Sequence, residues 1–327
     1  MTVTAREPNQ ELAATIAAEL GRPVPEGATA LADAIRARHG KAVQGLLFYG
    51  SCLRRGEDRE GVLDLYALVD GYGGAYGDGA YRSGALAAIN ALLPPNVFYI
   101  EARHGGRTVR AKYAVLSLDD LARATSDRTF EPYFWARFAQ PCALVFSASP
   151  EVTRAVTAAL AEAVKTFVRA GLPLAPPSFG ASELWTAMLR ETYRCEVRAE
   201  RSDAAAELVR FAPERYAHVT RLAFAAAGLP VREEITGEEP RWTVDLSPRE
   251  RWLGRALWRL RRVHGKTFFL LRLLRNALIF EGGVDYVIWK VERHSGSTVD
   301  PSWRESRFRL FALGAEVLRQ YRRGAFR

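Results

Sequence analysis

Two apolar runs, VQGLLFY at 43–49 and VLDLYALV at 62–69, stand twelve residues apart. Each reads as a buried strand. The first closes on Gly50-Ser51, and the polar loop CLRRGEDREG leads to the second. Within the second, Asp64 sits between Leu63 and Leu65. A carboxylate at mid-strand is costly to bury without a partner, which marks Asp64 as a candidate functional residue. Taken alone, a Gly-Ser at a strand end is common, and an aspartate closing a strand, as Asp70 does, is often a turn residue.

Around this pair the chain reads as mixed α/β. Helical patterns cover Glu11–Leu20 and about Ala28–Arg38. Gly71–Gly79 (GYGGAYGDG) reads as a mobile loop and Tyr81–Leu93 as helix. Asn96–Arg103 and Thr108–Leu116 read as a hairpin around the turn HGGR. Ser117 followed by Asp119 and Asp120 opens a short helix with a serine cap and early acids. Beyond residue 148 the pattern becomes helical over Pro150–Gly171, Ser182–Arg201 and Glu214–Ala227, with no convincing strand, and GLPLAPPSFG (171–180) reads as a linker.

The length of 327 residues suits two modest domains, and 48% hydrophobic with 25% charged residues excludes a largely disordered chain. Three cysteines without a CxxC pair argue against a disulfide scaffold or a structural zinc, and fit a reducing compartment. The N-terminus has no basic stretch leading into an apolar run, so no secretory signal is expected. The five histidines have no metal-ligand spacing, Ser51 has no evident His/Asp partner for hydrolase chemistry, and the glycines at 71–79 lack dinucleotide-binding spacing.

Charge is concentrated at one end. Residues 241–327 hold 19 Lys/Arg against 8 Asp/Glu, whereas the preceding 240 residues hold 27 against 29. Such a region seeks polyanions, either nucleic acid or an anionic membrane. The richest part, Arg249–Phe280, interleaves arginine with tryptophan, phenylalanine and leucine. Its apolar run, 267–280, is too short and too charged to span a bilayer. Two readings stand: a helix lying in the headgroup plane, or one packed by its apolar face with a solvated basic face. No recognised nucleic-acid motif accompanies the charge.

The order of apolar strand, Gly50-Ser51, loop and strand bearing Asp64 resembles the nucleotidyltransferase superfamily. The generic signature has a second acid two residues after the first; here Tyr66 stands there, and the next acid is Asp70. Aspartates six apart point to one branch. Phe48-Tyr49-Gly50-Ser51, then Leu63-Asp64 through Val69-Asp70, then Lys112-Tyr113-Ala114-Val115-Leu116-Ser117, then Glu131-Pro132-Tyr133-Phe134-Trp135 through Pro141 follow, in order, the motifs of the mitochondrial-type phosphatidate cytidylyltransferases. The resemblance covers about 43–145. Cys52, Ala114 and Gln140 depart from it, standing where a glycine, a glycine and a lysine are usual.

The resemblance implies a nucleotidyltransferase-like mixed sheet with flanking helices for the region taken as 1–148; the change of pattern and the charge set off a helical domain at 149–240 and a basic amphipathic region at 241–327. It implies Mg²⁺-dependent transfer of CMP from CTP to phosphatidic acid, giving CDP-diacylglycerol and pyrophosphate. Gly50 and Ser51 would cradle the nucleotide phosphates. Asp64 and Asp70 would be catalytic and ligate Mg²⁺, with Glu101 as a third carboxylate. Lys112 would act in catalysis and contact nucleotide phosphate, and Arg137 would hold substrate phosphate. With a lipid acceptor, the C-terminal region is expected to dock on an anionic membrane surface, peripheral on the cytoplasmic face of the cell membrane, and nucleic acid is not an expected partner. The alternatives are a transferase with a nucleic-acid, protein or soluble phosphate acceptor, and a non-catalytic peripheral protein of the same fold.

Overall fold

The computed structural model describes residues 7–58, 61–77, 84–196, 203–235 and 240–279. Parts of the expected elements at 78–79, 81–83, 197–201 and 280–327 lie outside them.

The centre is an open, mixed five-stranded sheet. Its strands are β1 (Val43–Tyr49), β2 (Leu63–Val69), β3 (Asn96–His104), β4 (Arg107–Ser117) and β5 (Ala143–Ser147), in the order β3-β4-β2-β1-β5. β2 and β4 are parallel; every other neighbouring pair is antiparallel. The hairpin β3–β4 turns on Gly105 and Gly106, both at positive φ, as a tight two-residue turn requires.

Helices cover both faces, which is why β1 and β2 are apolar almost throughout. On one face lie α1 (Pro8–Leu20), α6 (Leu118–Thr125), α7 (Pro132–Phe138) and α8 (Pro150–Gly171), over Leu47, Tyr66, Leu68 and Leu116. On the other lie α2 (Glu26–His39), α3 (Gly50–Arg55), α4 (Tyr72–Gly77) and α5 (Gly84–Leu92), over Leu46, Phe48, Leu65 and Val69. The signal at Ser117 acts as read, accepting from the Asp120 amide at the start of α6, and α8 begins on a Ser149 cap with Pro150 in its first turn.

Two expectations change. Gly50 and Ser51 open helix α3 rather than a turn. Within the glycine-rich stretch, 72–77 form α4, not a loop, because its two tyrosines find partners. The Tyr72 hydroxyl donates to Asp120, and the Tyr76 hydroxyl meets the side-chain amides of Asn90 and Asn96.

Further along, α9 (Ala181–Arg194), α10 (Ala204–Arg210) and α11 (Pro213–Ala226) are joined by a second sheet that periodicity missed. It comprises β6 (Ser178–Gly180), β7 (Val231–Ile235) and β8 (Pro240–Val244), ordered β6-β8-β7. β6 has three residues, too few to show alternation; its Phe179 packs with Trp242 and Phe224. The expected linker is thereby part of the core, with Leu172, Ala175 and Phe179 buried. One hydrophobic cluster runs from Leu12 through the central sheet to Trp258, across the boundary expected at 148/149.

Helix α12 (Pro248–Ile279) closes the described chain. It packs through arginine and glycine. Gly254 lies on Pro173 and Gly265 on the Cys195 carbonyl, each so close that a Cβ would collide. The Trp258 indole donates to the Ala170 carbonyl, and Arg272 forms a buried two-pronged pair with Glu131. Several of its apolar residues face outward, Trp252 and Val263 being 65% exposed each. Neither reading of Arg249–Phe280 anticipated arginines packed inward.

Candidate functional site

β-Register builds the site. Tyr49 on β1 pairs with Asp64 on β2, Asp64 with Lys112 on β4, and Lys112 with Tyr99 on β3, so these four side chains form one row across the sheet. The Lys112 ammonium lies 2.9 Å from Asp64 Oδ1, and the Asp64 side chain is 18% exposed. Asp64 is the second residue of β2 rather than a mid-strand one, and the partner that its largely buried carboxylate demands is a lysine on the next strand.

Gly50 completes this corner. Its φ of +87° is a conformation that side chains disfavour, and a Cβ there would lie 2.5 Å from Asp64 Oδ2. The bare backbone leaves that oxygen uncovered, and Ser51 follows on α3. The neighbouring Cys52 thiol donates to the Val62 carbonyl at 3.9 Å, and burial raises its pKa.

Behind Asp64 lies an aromatic cage holding one cation. Arg137, from α7, donates through Nη1 to the Tyr49 hydroxyl at 3.1 Å. Its guanidinium carbon is 4.7 Å from the Tyr133 ring centre and 5.3 Å from that of Tyr49. The Glu196 carboxylate is 4.0 Å from Nη2, and Nε is buried without a hydrogen-bond partner among the described residues. Burial works against the charge on Arg137, but the oxygens of Tyr133, Tyr49, Tyr66 and Glu196 outweigh it and raise its pKa. Burial pushes the Tyr49 phenol up to about 12, against the pull of Arg137. A fixed cation beside neutral phenols is suited to an anion.

The structure brings together Gly50, Ser51, Asp64 and Lys112, with Arg137 reached through Tyr49. It separates the other two acids. Asp70 is six residues along β2, about 20 Å at the rise of a strand. There its amide donates to the Ala42 carbonyl and its carboxylate lies near Gly74. A cation shared by Asp64 and Asp70 is therefore corrected. The 72–77 part of the stretch read as a mobile loop belongs to that far end too.

Glu101 is exposed on β3, opposite Arg110, with β4 between it and β2. It accepts from the Tyr99 hydroxyl at 2.7 Å and from Arg110 Nε at 3.0 Å, bonds that lower its pKa. It does not join Asp64, and the expectation of a third carboxylate is corrected as well. Among the described residues no group of three His, Cys, Asp or Glu is placed to hold a metal. Tyr66, at the generic second-acid position, is fully buried against Tyr49 and Phe138. The three-carboxylate set thus does not fit Mg²⁺. Asp64 alone does: a single carboxylate with one oxygen open over a bare glycine matches an ion that completes its shell with water and substrate phosphates.

Sequence reading gave no role to Tyr49 or Glu196. The strand period could have found Tyr49, since it places Tyr49 at the end of β1, beside the start of β2. Nothing in the sequence ties Glu196 to Arg137. No protein-family model matches the chain, and no curated protein matches it either.

Proposed function

We propose that the chain is a nucleotidyltransferase that passes CMP from CTP to phosphatidic acid at a membrane surface, peripheral on the cytoplasmic face of the cell membrane. The observation that carries the reading is the juxtaposition of Asp64 and Lys112 on adjacent strands against the bare backbone of Gly50. Lys112 offers a point charge and Gly50-Ser51 an unobstructed approach for phosphate. Asp64 would hold Mg²⁺, which when bound neutralises charge developing on the phosphates.

Arg137 would hold the acceptor's phosphate monoester, its aromatic cage fixing the direction of approach. A monoester oxygen of the acceptor attacks the α-phosphorus in line. The bond from that phosphorus to the bridging oxygen breaks, and pyrophosphate leaves with the electron pair. No covalent intermediate with the protein is required; positioning and charge neutralisation by Lys112 and Arg137 do the work.

The test is pyrophosphate release with phosphatidate vesicles, Mg²⁺ and each of the four nucleoside triphosphates. Release with CTP alone, dependent on vesicles and lost in Asp64→Asn, supports the reading. Release with CTP and a soluble acceptor moves the acceptor to a non-lipid class. No release with any nucleotide leaves a binding protein of this fold.

A further inference from the structure

The guanidinium of Arg137 is unevenly used. Its Nη1 donates to the Tyr49 hydroxyl at 3.1 Å, whereas Nε is buried with no hydrogen-bond partner among the described residues. Nε and Nη2 form the side edge of the group, an edge that takes an oxyanion in a two-pronged pair. Glu196, just past the end of α9, stands off that edge, its carboxylate 4.0 Å from Nη2. The Arg137 and Glu196 side chains are 17% and 10% exposed, so the gap between them is screened from bulk water yet not sealed.

A separation of 4.0 Å is too long for a direct hydrogen bond. It suits one oxygen atom between the two groups, since charge-assisted bonds of about 2.6–2.9 Å on either side meet there at roughly a right angle. Such an oxygen must accept from Nη2 and donate to the carboxylate, because a guanidinium only donates and an ionised carboxylate only accepts. It must therefore carry a proton. Water meets that demand, and so does the hydroxyl of a singly protonated phosphate monoester. The second proton of a phosphate monoester leaves near about pH 6, so this form is at hand close to neutrality. A phosphate diester does not meet it, because the second ester bond has replaced that hydroxyl.

We infer that Glu196 is the specificity-determining residue of the acceptor seat. The P–OH of a phosphate monoester lies between Nη2 of Arg137 and the Glu196 carboxylate, while a second phosphate oxygen accepts from Nε. A diester presents only ester and anionic oxygens there, and the largely buried carboxylate repels them. The inference rests on the reading of Arg137 as the holder of the acceptor phosphate, and gives the choice of monoester to an acid on another element. Plain repulsion has the opposite signature. A carboxylate that merely competes for Arg137 opposes a dianionic monoester more than a monoanionic diester, so removing its charge would favour the monoester.

The test measures binding without nucleotide, by titration calorimetry of the full chain near neutral pH. The ligands are dihexanoyl phosphatidate and its methyl ester, both soluble and different only at the phosphate. The parent chain is expected to bind the monoester at least about tenfold more tightly, the worth of one hydrogen bond to a charged group. In Glu196→Gln the methyl ester should gain more than the monoester, because an amide also donates to the oxygen that a carboxylate repels. The gap between the ligands then narrows, and Glu196→Ala should narrow it too by removing the acceptor.

A gap that holds or widens in both variants would overturn the proposal. If both ligands bind more tightly there, Glu196 is a bare competitor for Arg137; if both bind more weakly, it is an anchor. Arg137→Gln, with thermal unfolding as the check on its fold, separates this outcome from failure of the underlying reading. Loss of both ligands in that variant supports the seat at Arg137. Monoester binding that survives it, or a parent chain that binds neither ligand, overturns the seat and its selectivity together.

Discussion

At the scale of single residues, the site turns on which side chains can reach Asp64. Gly50→Ala places a Cβ 2.5 Å from Oδ2 at a φ of +87°. The strain should cost about 1–3 kcal/mol in a denaturant titration, and turnover should fall with it because the carboxylate must move. The two aspartates separate cleanly. Asp64→Asn should lower turnover at least about a hundredfold, the loss typical of removing one preorganised charge. Asp70→Asn should leave turnover within about a factor of two, since Asp70 lies a strand length away. A folded but inactive Asp70→Asn chain would defeat this assignment. The spacing alone carries that result: six residues of extended chain cannot bring two carboxylates to one cation. Lys112, by contrast, was legible as a motif residue, but its role as the partner of Asp64 came only with the parallel pairing of β2 and β4.

At the scale of elements, two helices are pinned by polar groups that periodicity does not reveal. His39, at the end of α2, is buried with Nδ1 2.9 Å from the Ala75 carbonyl, so Nδ1 carries the proton, and Nε2 accepts from the Tyr113 hydroxyl at 3.0 Å. Burial, with Arg38 nearby, lowers its pKa below the ordinary 6.5. The unfolded chain therefore takes up a proton before the folded one does. Stability is fully present above pH 6.5 and is lost as pH falls from there through the folded-state pKa. Denaturant titrations across that window should show the slope, and His39→Gln should flatten it. Helix α12 is pinned by Glu131, whose carboxylate pairs with the Arg272 guanidinium while Arg272 Nε donates to the Pro94 carbonyl at 2.8 Å. Glu131→Ala strands a buried cation and should cost about 3–5 kcal/mol by chemical denaturation. Helices α6, α8 and α11 are where they are expected because the period agrees with a local start signal: a serine cap at α6 and α8, a first-turn proline at α8 and α11. β6 and α4 are not, the one being too short for a pattern and the other held by tyrosine hydrogen bonds rather than by propensity.

For the whole molecule, the decisive fact is that one of the two hydrophobic clusters, that on the α8 face of the sheet, runs across the boundary expected at 148/149. The sheet face bearing Leu47, Tyr66, Leu68 and Leu116 is covered by α8 from beyond residue 148, and the same cluster reaches Trp258 on α12. The chain should unfold in a single calorimetric transition, with matching van't Hoff and calorimetric enthalpies. Residues 1–148 expressed alone should give no cooperative transition, because that face would be in water. What the sequence by itself determined are features set within a few positions: the buried strands read at 43–49 and 62–69, the turn at Gly105-Gly106, the serine cap at Ser117, and the concentration of positive charge after residue 240. Local backbone preference and the spacing of apolar residues suffice for these. Only the tertiary structure decided that Arg137 meets Tyr49 across 88 positions, that Asp64 meets Lys112 and not Asp70, and that α12 packs by its arginines. The reason is that α12 carries apolar residues around most of its circumference, so its pattern does not name an inner face. The inner face is set by which arginines find a carboxylate or carbonyl, and by where glycine permits close approach.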